Sequence, residues 1–470
     1  MKIVLSRPLR NSGLSLPPLP DMLVAGGDER LRRDPDTDLN RYGCPVLPDN
    51  GLLALGSSTA TPISEPAYYA AKLMHIRLQA SFCAESPEQV YSRESAGVRR
   101  SLLALCQLDG LPGLELHLAA SGTDAHQSAA RRLLACGRAP LRILTVEESE
   151  TGSFVCAAMS SASSSVTPIA LRHADGTPRE LDDIDADFAR QAEAAIAAGE
   201  HLLLVPVDVS KTGLAAPRLD LALALRARWP ERCEVLLDAC QFRFSIATLR
   251  RYLESDCMVA LTGSKFIGGP SFSGALLVPA AVAARLGPSP SATETPNFGL
   301  LLRWQAALEE LQAYLHVNPS IADKFLRDFA ARVSARLRLS PACLPLPVPA
   351  LQRPFPAEGG GVDAVTSIFP FLLRQPRSGR MLTEIETRNV YLLLQHDLGG
   401  DLPIAQTRFL LGQPVSCGQR DGVAVSAVRL CVSARMVTEA ASAPERSARL
   451  QDNALLAIDK IEHITASLAA

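Results

Sequence analysis

One lysine of this chain lies in a run of small residues where an amine could do chemistry. Lys265 belongs to the segment LTGSKFIGGPSFSGALL, residues 261–277, which passes from an apolar run through a loop rich in glycine and proline. A lysine that is partly withdrawn from water has a lowered pKa, and its amine can then attack an aldehyde. An ordinary surface lysine in a loop is the alternative.

A carboxylate ends an earlier apolar run. Asp238 lies in LLDACQFR, residues 236–243, and precedes Lys265 by 27 positions. Open α/β sheets bind their ligands at the carboxyl ends of strands, which is where this aspartate is expected. A carboxylate there is costly unless a cation or a hydrogen-bond donor meets it. Capping of the following turn is the alternative role.

A hydroxyl-rich turn lies further upstream, in AASGTDAH, residues 119–126. The turn follows a strand and opens a helix, so Ser121, Gly122 and Thr123 are expected at the helix N-terminus. Free backbone N–H groups and the helix dipole favour an anion there, and a glycine lets the backbone approach a phosphate closely. The alternative is an ordinary helix cap, with Thr123 or Asp124 as the N-cap residue.

Short apolar strands and amphipathic helices alternate between residues 100 and 280 and must position these groups. The predicted strands are 114–120, 141–146, 201–209, 234–240, 257–261 and 274–279. The predicted helices between them are 124–137, 185–199 and 219–230. Strands that are apolar on both faces and separated by helices indicate a mostly parallel sheet that is covered on both sides.

The length of 470 residues indicates more than one domain. We predict an irregular N-terminal arm over residues 1–50, a large domain over 51–315 and a smaller C-terminal α+β domain over 316–470. A long helix over 298–317, with Glu309 and Glu310 on its polar side, is expected to bridge the two domains.

Composition excludes several classes of protein. The net charge is −2 and no long charged run is present, so neither nucleic acid nor a membrane surface is expected as a partner. The eleven cysteines form no CxxC pair and no cluster with histidine at zinc spacing, so we expect no metal and no disulfide scaffold. A reducing, cytoplasmic location is predicted, since the N-terminus has no secretory signal and no apolar run is long enough to span a membrane.

In their order along the chain these motifs resemble those of the fold-type-I enzymes that depend on pyridoxal 5'-phosphate (PLP). The similarity is to the class V aminotransferase branch, which includes cysteine desulfurases and kynureninases, and by pattern it covers roughly residues 50–470. It implies a three-layer αβα large domain with a mostly parallel sheet, a smaller C-terminal α+β domain, PLP as cofactor and a homodimer.

The resemblance also implies roles for individual residues. Asp238 is expected to pair with the pyridine nitrogen of the cofactor, and Gln241 with its ring hydroxyl. Lys265 is expected to bond the cofactor aldehyde and, when released, to move the substrate Cα proton. The remaining cofactor-binding residues that it implies are Ser121, Gly122, Thr123, Thr262, Ser264, Ser271 and Ser273, with Ser271 or Ser273 reaching the phosphate of a neighbouring subunit.

The substrate side is expected to use an arginine of VRLCVSAR, residues 428–435. Arg429 is the better match to the family arginine that holds the substrate carboxylate, and Arg435 is the second candidate. A guanidinium group suits a bidentate grip on a carboxylate. A strand arginine in a surface ion pair is the alternative for Arg429.

Two segments depart from the family pattern. EESETGSF, residues 147–154, has no histidine to cover the cofactor ring, which leaves Glu150, Thr151 or Ser153 for the ring face and Thr151 as a predicted substrate contact. VDVSKTGLAAP, residues 207–217, carries Lys211 where the branch has asparagine.

The predicted function is an aminotransferase or lyase-like reaction on an amino acid or related amine. One alternative is a cysteine desulfurase that uses Cys417, which lies 12 residues before Arg429. An alternative from another class is a binding or structural protein that has the fold without the activity. A nucleotide-binding Rossmann enzyme is disfavoured, since no G-x-G-x-x-G motif follows the first strand.

Overall fold

The computed structural model describes residues 15–56, 61–287, 295–355 and 361–468. The strands within these ranges are β1 (Leu52–Ala54), β2 (Glu115–Ala119), β3 (Leu141–Val146), β4 (Ser164–Ile169), β5 (His201–Val205), β6 (Cys233–Asp238), β7 (Met258–Thr262), β8 (Gly274–Val278), β9 (Cys343–Pro345), β10 (Ile368–Leu373), β11 (Arg408–Leu410), β12 (Gly412–Arg420) and β13 (Val423–Cys431). The α-helices are α1 (Leu19–Leu23), α2 (Glu65–Ser81), α3 (Pro87–Leu105), α4 (Gly122–Ala135), α5 (Val155–Met159), α6 (Leu181–Ala197), α7 (Leu219–Arg228), α8 (Ile246–Glu254), α9 (Ala280–Leu286), α10 (Phe298–Leu315), α11 (Pro319–Leu339), α12 (Glu384–Leu393), α13 (Pro403–Gln406), α14 (Ala434–Ser442) and α15 (Pro444–Ser467).

A seven-stranded sheet forms the centre of the large domain, in the order β2-β8-β7-β6-β5-β3-β4. The strand β8 runs antiparallel to both of its neighbours, and the other pairs are parallel. Successive strand residues belong to different cores, since Leu202 and Leu204 pack on one face while Leu203 and Val205 pack on the other. Helices cover both faces, so the predicted three-layer α/β arrangement with a mostly parallel sheet is confirmed.

The helices that cover the sheet bury one face each. In α6 the buried residues are Ile184, Phe188, Ala192 and Ala195, which are spaced four, four and three apart. This spacing places them on one side of a helix with 3.6 residues per turn. The same principle applies to α4, whose buried alanines and Leu133 belong to the core on the opposite face of the sheet.

One strand of this sheet was not predicted. The edge strand β4 has the sequence SSVTPI, and among the described strands it pairs with β3 alone. Its serines, threonine and proline lack the apolar signature of the central strands, and proline is tolerated mainly on edge strands. The sequence pattern therefore did not indicate this strand, which forms through its parallel pairing with β3.

A second sheet of four antiparallel strands, in the order β12-β13-β10-β9, lies in the C-terminal part of the chain. Its core includes residues of α11, α14 and α15. A two-stranded parallel pair, β1 with β11, joins an early segment to this part of the chain. The division into domains at residues 50 and 315 remains a prediction.

The helix α10, which was predicted to bridge the two domains, is more buried than its sequence suggested. Glu310, which was expected on the polar side, is 6% exposed. Its Oε1 atom accepts hydrogen bonds from Arg435 Nε at 2.9 Å and from Ser64 Oγ at 2.6 Å. The expectation of a solvated face was therefore wrong at Glu310, because these two donors compensate its burial.

The described part of the N-terminal arm packs on the large domain. Its helix α1 contributes apolar side chains to the main core and contacts α10. The guanidinium group of Arg303, fully buried in α10, donates to the carbonyl oxygens of Leu23 at 3.1 Å, Ala25 at 2.6 Å and Phe272 at 2.8 Å. One buried cation thus ties the arm to the loop that follows Lys265.

A buried ion-pair network fixes the connection between β9 and β10 against the segment that follows β5. Arg353 Nη2 lies 2.8 Å from Asp208 Oδ2, and its Nη1 donates to the carbonyl oxygen of Asp363 at 2.7 Å. The hydroxyl of Tyr252 also donates to Asp208, at 2.5 Å. Removal of one partner from such a network leaves an uncompensated buried charge.

Arg353→Met is therefore expected to lower the free energy of unfolding by about 3–5 kcal/mol. Chemical unfolding followed by circular dichroism measures this loss. Arg377→Met, at an exposed position, is the control and is expected to change the stability by no more than about 0.5 kcal/mol. Equal stability of the two variants would contradict the role of the network.

Candidate active site

Three strand ends meet at one edge of the large sheet. Gly274 of β8 pairs with Ala119 of β2 on one side and with Thr262 of β7 on the other. Because β8 is antiparallel to both strands, β2 and β7 end at the same edge. Asp238 pairs with Ala260 in the parallel ladder of β6 and β7, so the end of β6 lies beside them. The predicted turn, carboxylate and lysine therefore converge.

A cavity of about 350 Å³ opens at this edge, within the size range of small-molecule sites. The residues that line it are Arg30, Arg41, Tyr42, Ser121, Gly122, Thr123, His126, Gly152, Ser153, Phe154, Val155, Lys211, Asp238, Cys240, Gln241, Thr262, Ser264, Lys265, Phe272, Ser273, Arg388, Gln413, Pro414, Val415 and Arg429. Nearly all of the predicted cofactor-binding residues are in this set.

The N-terminus of α4 faces the cavity. Ser121 is the N-cap residue, and its Oγ accepts from the backbone N–H of Asp124 at 3.3 Å and donates to Asp124 Oδ2 at 2.6 Å. The helix cap is thus present, at Ser121 rather than at Thr123 or Asp124. The N–H groups of Gly122 and Thr123 have no acceptor within the helix and remain available to an anion.

Gly122 is held in a space that admits no side chain. A Cβ atom at this position would lie 2.7 Å from Cys240 Sγ and 3.2 Å from Thr262 Cγ2. The glycine therefore lets α4 begin directly against the ends of β6 and β7. This close approach keeps the free N–H groups at the wall of the cavity.

Asp238 is a buried carboxylate with cationic and hydrogen-bonding neighbours. Its Oδ2 accepts from Thr151 Oγ1 at 2.7 Å, and its Oδ1 accepts from the backbone N–H of Cys240 at 3.2 Å. Burial by itself raises the pKa of Asp238, but His126, Lys265 and the hydrogen bond from Thr151 together hold the pKa below its ordinary value. The side chain therefore presents a fixed negative charge to the cavity.

His126 is a site residue to which the sequence analysis gave no role. The ring is buried in α4, with Nδ1 2.7 Å from the carbonyl oxygen of Gly122 and Nε2 3.7 Å from Asp238 Oδ2. Nε2 makes no hydrogen bond to any described residue. One feature of the sequence could have indicated its role. His126 follows Gly122 by four residues, which places it on the same face of the helix, toward the strand ends.

The other predicted cofactor residues surround Asp238 and Lys265. The carbonyl oxygen of Cys240 accepts from Thr262 Oγ1 at 2.8 Å, while Ser264 Oγ lies 3.4 Å from Thr262 Oγ1. The side-chain oxygen of Gln241 is buried and has no hydrogen-bond donor among the described residues. A buried acceptor without a donor is costly, so this oxygen is ready to accept from a ligand.

Lys265 is half-buried and lines the cavity. Its backbone has φ of 60°, in the left-handed region that non-glycine residues seldom adopt. Such strained positions cluster at ligand-binding sites, where the surrounding structure enforces them. Here the tight loop before Gly268 and Gly269 fixes the lysine at the end of β7.

Three predicted site residues lie outside the cavity lining. Thr151 is behind Asp238 and donates to it. Ser271 is buried and faces a small pocket between the arm and the loop that follows Lys265. Arg435 is engaged by Glu310 and by the carbonyl oxygen of Gly268, at 2.9 and 2.7 Å. Their roles toward a cofactor or substrate remain predictions.

Arg429 is buried at the cavity wall without a carboxylate partner among the described residues. Its guanidinium group donates to the carbonyl oxygens of Gln413 and Lys211, at 2.7 and 3.1 Å. Burial lowers the pKa of Arg429 below its ordinary value. An anion from outside the chain would stabilise this charge.

Positive charge dominates the described lining of the cavity. The cationic residues in it are Arg30, Arg41, Lys211, Lys265, Arg388 and Arg429, whereas Asp238 is the acidic one. A concave wall of one charge sign concentrates ligands of the opposite sign. The cavity is therefore suited to a molecule that carries more than one negative charge.

The arm closes one side of the cavity, which the sequence did not predict. The guanidinium carbon of Arg30 lies 5.0 Å from the ring centroid of Phe154 and 4.7 Å from that of Phe272. Both distances are typical of cation–π contacts. Arg41 and Tyr42 of the arm also line the cavity. No local pattern in residues 15–46 indicated these contacts.

The residues of segment 147–154 that face the cavity are not all those that were predicted to do so. Ser153 and Phe154 line the cavity, whereas Glu150 does not. Glu150 is buried and accepts from Arg172 Nε and from the hydroxyl of Thr212, each at 2.7 Å. It therefore anchors the loop that carries Lys211 rather than facing a ligand.

Cys417 lies away from the cavity. It is 2% exposed in β12, burial raises the pKa of its thiol, and its Sγ contacts the carbonyl oxygen of Gly176 at 3.9 Å. A reactive cysteine needs an accessible thiol with a lowered pKa. The position of Cys417 offers neither.

Within the described ranges no group of three or more histidine, cysteine, aspartate or glutamate residues is placed to hold a metal ion.

Three solved structures share the fold across most of the chain. A NifS-like protein has a TM-score of 0.57 at 12% identity, covering 89% of this chain and 100% of the other. A cysteine desulfurase from Thermococcus onnurineus NA1 has a TM-score of 0.57 at 13% identity, covering 89% and 96%. The glutamate decarboxylase domain of diaminobutyrate-pyruvate transaminase and L-2,4-diaminobutyrate decarboxylase from Vibrio parahaemolyticus has a TM-score of 0.55 at 15% identity, covering 89% and 81%.

No family model and no curated protein matches the sequence. The structural likeness shows the fold, and it confirms the prediction that this chain has the fold-type-I architecture. The described part of the chain has no helix that is both long enough and apolar enough to cross a membrane.

Proposed function

We propose that this chain is a PLP-dependent enzyme that acts on an amino acid or a related primary amine. The observation that carries the proposal is the convergence of Lys265, Asp238 and the N-terminus of α4 on one cavity. The three groups supply what the cofactor needs, namely an amine for its aldehyde, a carboxylate for its ring nitrogen and donors for its phosphate.

The geometry of the cavity fits this cofactor at three further points. The free N–H groups at Gly122 and Thr123 are available to the phosphate, and the absence of a side chain at Gly122 leaves them accessible. The charge of Asp238 suits a protonated ring nitrogen, and the unpartnered oxygen of Gln241 suits a ring hydroxyl. When bound, PLP supplies an electron-accepting ring that stabilises negative charge developing beside the substrate nitrogen.

The chain's own residues account for the remaining steps. Arg429 binds the substrate carboxylate, since its buried guanidinium group has only carbonyl partners in the described structure. Lys265, once released, takes and returns the substrate Cα proton. Arg30 bridges the rings of Phe154 and Phe272 on one side of the cavity, and the buried ring of Phe272 forms an apolar wall there.

The reaction branch that we propose is an aminotransferase or lyase-like reaction of the class V type. A fold does not determine which bond breaks, and the support for this branch is the motif pattern of the sequence. A desulfurase reaction through Cys417 is not favoured, because its buried thiol does not line the cavity. A non-catalytic protein is not favoured either, since Lys265 and Asp238 both face one concave site.

A homodimer in a reducing, cytoplasmic compartment completes the proposal. All eleven cysteines are free, as is usual in such a compartment. Tyr69, Leu73 and Ile76 are 60, 49 and 55% exposed and follow helical spacing on α2. An apolar face of this kind supports a subunit interface.

The visible absorption spectrum of the purified protein tests the cofactor assignment. Addition of PLP is expected to give a protein-bound absorption band that differs from the spectrum of free PLP and disappears on treatment with borohydride. Addition of an amino acid substrate is expected to change the bound spectrum. A spectrum that equals the sum of the spectra of the protein and free PLP would contradict the assignment of PLP as the cofactor.

Gly122→Ala is expected to weaken PLP binding, because its new Cβ would press on Cys240 Sγ and Thr262 and push α4 away from the cavity wall. We expect an increase in the dissociation constant of at least about tenfold, or 1.4 kcal/mol. Titration of PLP followed by absorption measures it. Gly97→Ala in α3, where a Cβ meets nothing within 4 Å, is the control and is expected to bind PLP as the wild type does. Equal affinity of all three proteins would remove the N-terminus of α4 from the site.

A further inference from the structure

Lys211 is a second amine in the cavity. The sequence contains six lysines, and two of them, Lys211 and Lys265, line this cavity. The Nζ atom of Lys211 donates to the carbonyl oxygen of Glu148 at 2.7 Å and to Ser153 Oγ at 3.1 Å. Ser153 lines the same cavity, so an amine and a hydroxyl in contact are both presented to a ligand.

The backbone of Lys211 is fixed from two sides. Its N–H donates to the carbonyl oxygen of Glu150 at 2.8 Å, and its carbonyl oxygen accepts from Arg429 Nη1 at 3.1 Å. The side chain of Glu150 also accepts from the hydroxyls of Ser210 and Thr212, each at 2.7 Å. Both neighbours of Lys211 in the sequence are thus held by one buried carboxylate, and these contacts fix the backbone from which the lysine side chain extends.

The surroundings of Lys211 lower the proton affinity of its amine. Burial, then Arg429 and Lys265, lower the pKa of Lys211 to about 8, although Glu150 and Glu148 act in the opposite direction. Glu150 is itself neutralised by Arg172 at 2.7 Å. With a pKa of about 8, roughly one tenth of Lys211 is unprotonated at pH 7 and about half at pH 8, far more than for an ordinary lysine, so the side chain can act as a general base.

The proposed function creates a need for such a base. A primary amine substrate arrives as an ammonium ion, and its nitrogen has no free electron pair until one proton leaves. We propose that Lys211, hydrogen-bonded to Ser153, accepts this proton from the incoming substrate. The N–H bond of the substrate ammonium breaks, its electron pair stays on the substrate nitrogen, and a new N–H bond forms on Lys211.

The other groups of the described lining are less suited to this step. The arginines stay protonated at any pH of interest. Burial, together with the charge of Asp238, raises the pKa of Cys240 well above the ordinary value. His126 has one ring nitrogen against the carbonyl oxygen of Gly122 and directs the other toward Asp238. Lys265 is assigned to the cofactor by the proposed function, on which this inference rests.

Trace labelling of amines tests the proton affinity of Lys211 without any measurement of activity. The protein, saturated with PLP, is treated with a small amount of acetic anhydride at a series of pH values, and the labelled peptides are quantified by mass spectrometry. Lys211 is expected to reach half of its maximal reactivity near pH 8. Lys324, whose side chain is 76% exposed, is the internal reference amine, and Lys211 is expected to become reactive at a distinctly lower pH than this reference. Equal midpoints would overturn the inference.

Two variants distinguish a proton-transfer role of Lys211 from a role that needs only its positive charge. Lys211→Arg keeps the positive charge but cannot give up its proton, and Lys211→Met removes both properties. If Lys211 transfers the proton, both variants are expected to lower kcat/KM by about 100-fold, which is the lower end of the range for a positioned acid–base group. The rise of kcat/KM with pH through about 8, where Lys211 becomes neutral, is expected to be lost in both.

A different pattern would assign Lys211 another role. If Lys211→Arg keeps the wild-type kcat/KM and pH profile while Lys211→Met raises KM, Lys211 is an anion ligand and the inference is overturned. Lys324→Arg is the control variant and is expected to behave as the wild type. Failure of the proposed function is recognised separately, by the absence of a PLP-dependent spectrum, and it would remove the basis of this inference as well.

Discussion

Lys265→Ala is expected to abolish the protein-bound spectrum of PLP and to lower the rate of the reaction by at least about 100-fold, because the substitution removes both the cofactor's attachment point and the base that moves the substrate proton. The wild-type protein and the variant are compared by absorption after gel filtration in the presence of PLP, and by turnover of the best substrate. Retention of the borohydride-sensitive band by the variant would place the attachment on another amine, and Lys211 is the first to examine.

The backbone at Lys265 provides a control for folding. With φ of 60°, both lysine and alanine occupy a left-handed conformation that costs roughly 1–2 kcal/mol. Glycine adopts this conformation without that cost. Lys265→Gly is therefore expected to lose activity as Lys265→Ala does, but to melt at a temperature no lower than that of the wild type. Loss of activity together with a stable fold would separate the chemical role from a structural one.

Asp238→Asn is expected to produce the second large effect. The substitution keeps the size of the side chain and its contacts with Thr151 and Cys240, but it removes the negative charge beside the expected position of the ring nitrogen. Loss of one preorganised electrostatic partner typically costs on the order of 10²–10³-fold in rate. Because the pKa of Asp238 is held below its ordinary value, the wild-type charge persists, and the loss is expected at every pH above about 3.9.

Steady-state kinetics and PLP titration measure the effect of Asp238→Asn. The matched control is Asp220→Asn at the exposed start of α7, which is expected to leave both quantities unchanged. A variant at Asp238 that retains more than half of the wild-type rate would contradict the assignment of this carboxylate to the ring nitrogen.

The central strands and the motifs at their ends were predictable because both depend on local patterns. A buried parallel strand is apolar along its length, and a polar residue at its carboxyl end is conspicuous for that reason. Asp238, Lys265 and the turn at Gly122 are of this kind, and the structure brings them to one cavity. The edge strand β4 was missed because its exposed position tolerates serine, threonine and proline.

The remaining parts of the site depend on contacts between distant segments. His126 becomes significant only when α4 lies against the end of β6, and Arg30 only when the arm crosses Phe154 and Phe272. Glu310 was placed on a solvated face because helical periodicity does not reveal a buried partner such as Arg435. Tertiary pairing of this type leaves no periodic signal in the sequence.

The attachment of the N-terminal arm has a consequence for the evolution of the cavity. The arm is anchored by the apolar side chains of α1 and by hydrogen bonds from Arg303 to main-chain carbonyl oxygens, which any residue type provides. The residues that it contributes to the cavity, Arg30, Arg41 and Tyr42, are separate from those anchors. Selection can therefore exchange the residues at the rim one at a time while the scaffold and the proposed catalytic groups stay in place. Paralogues that differ mainly in residues 28–42 are the expected record of such divergence in substrate preference.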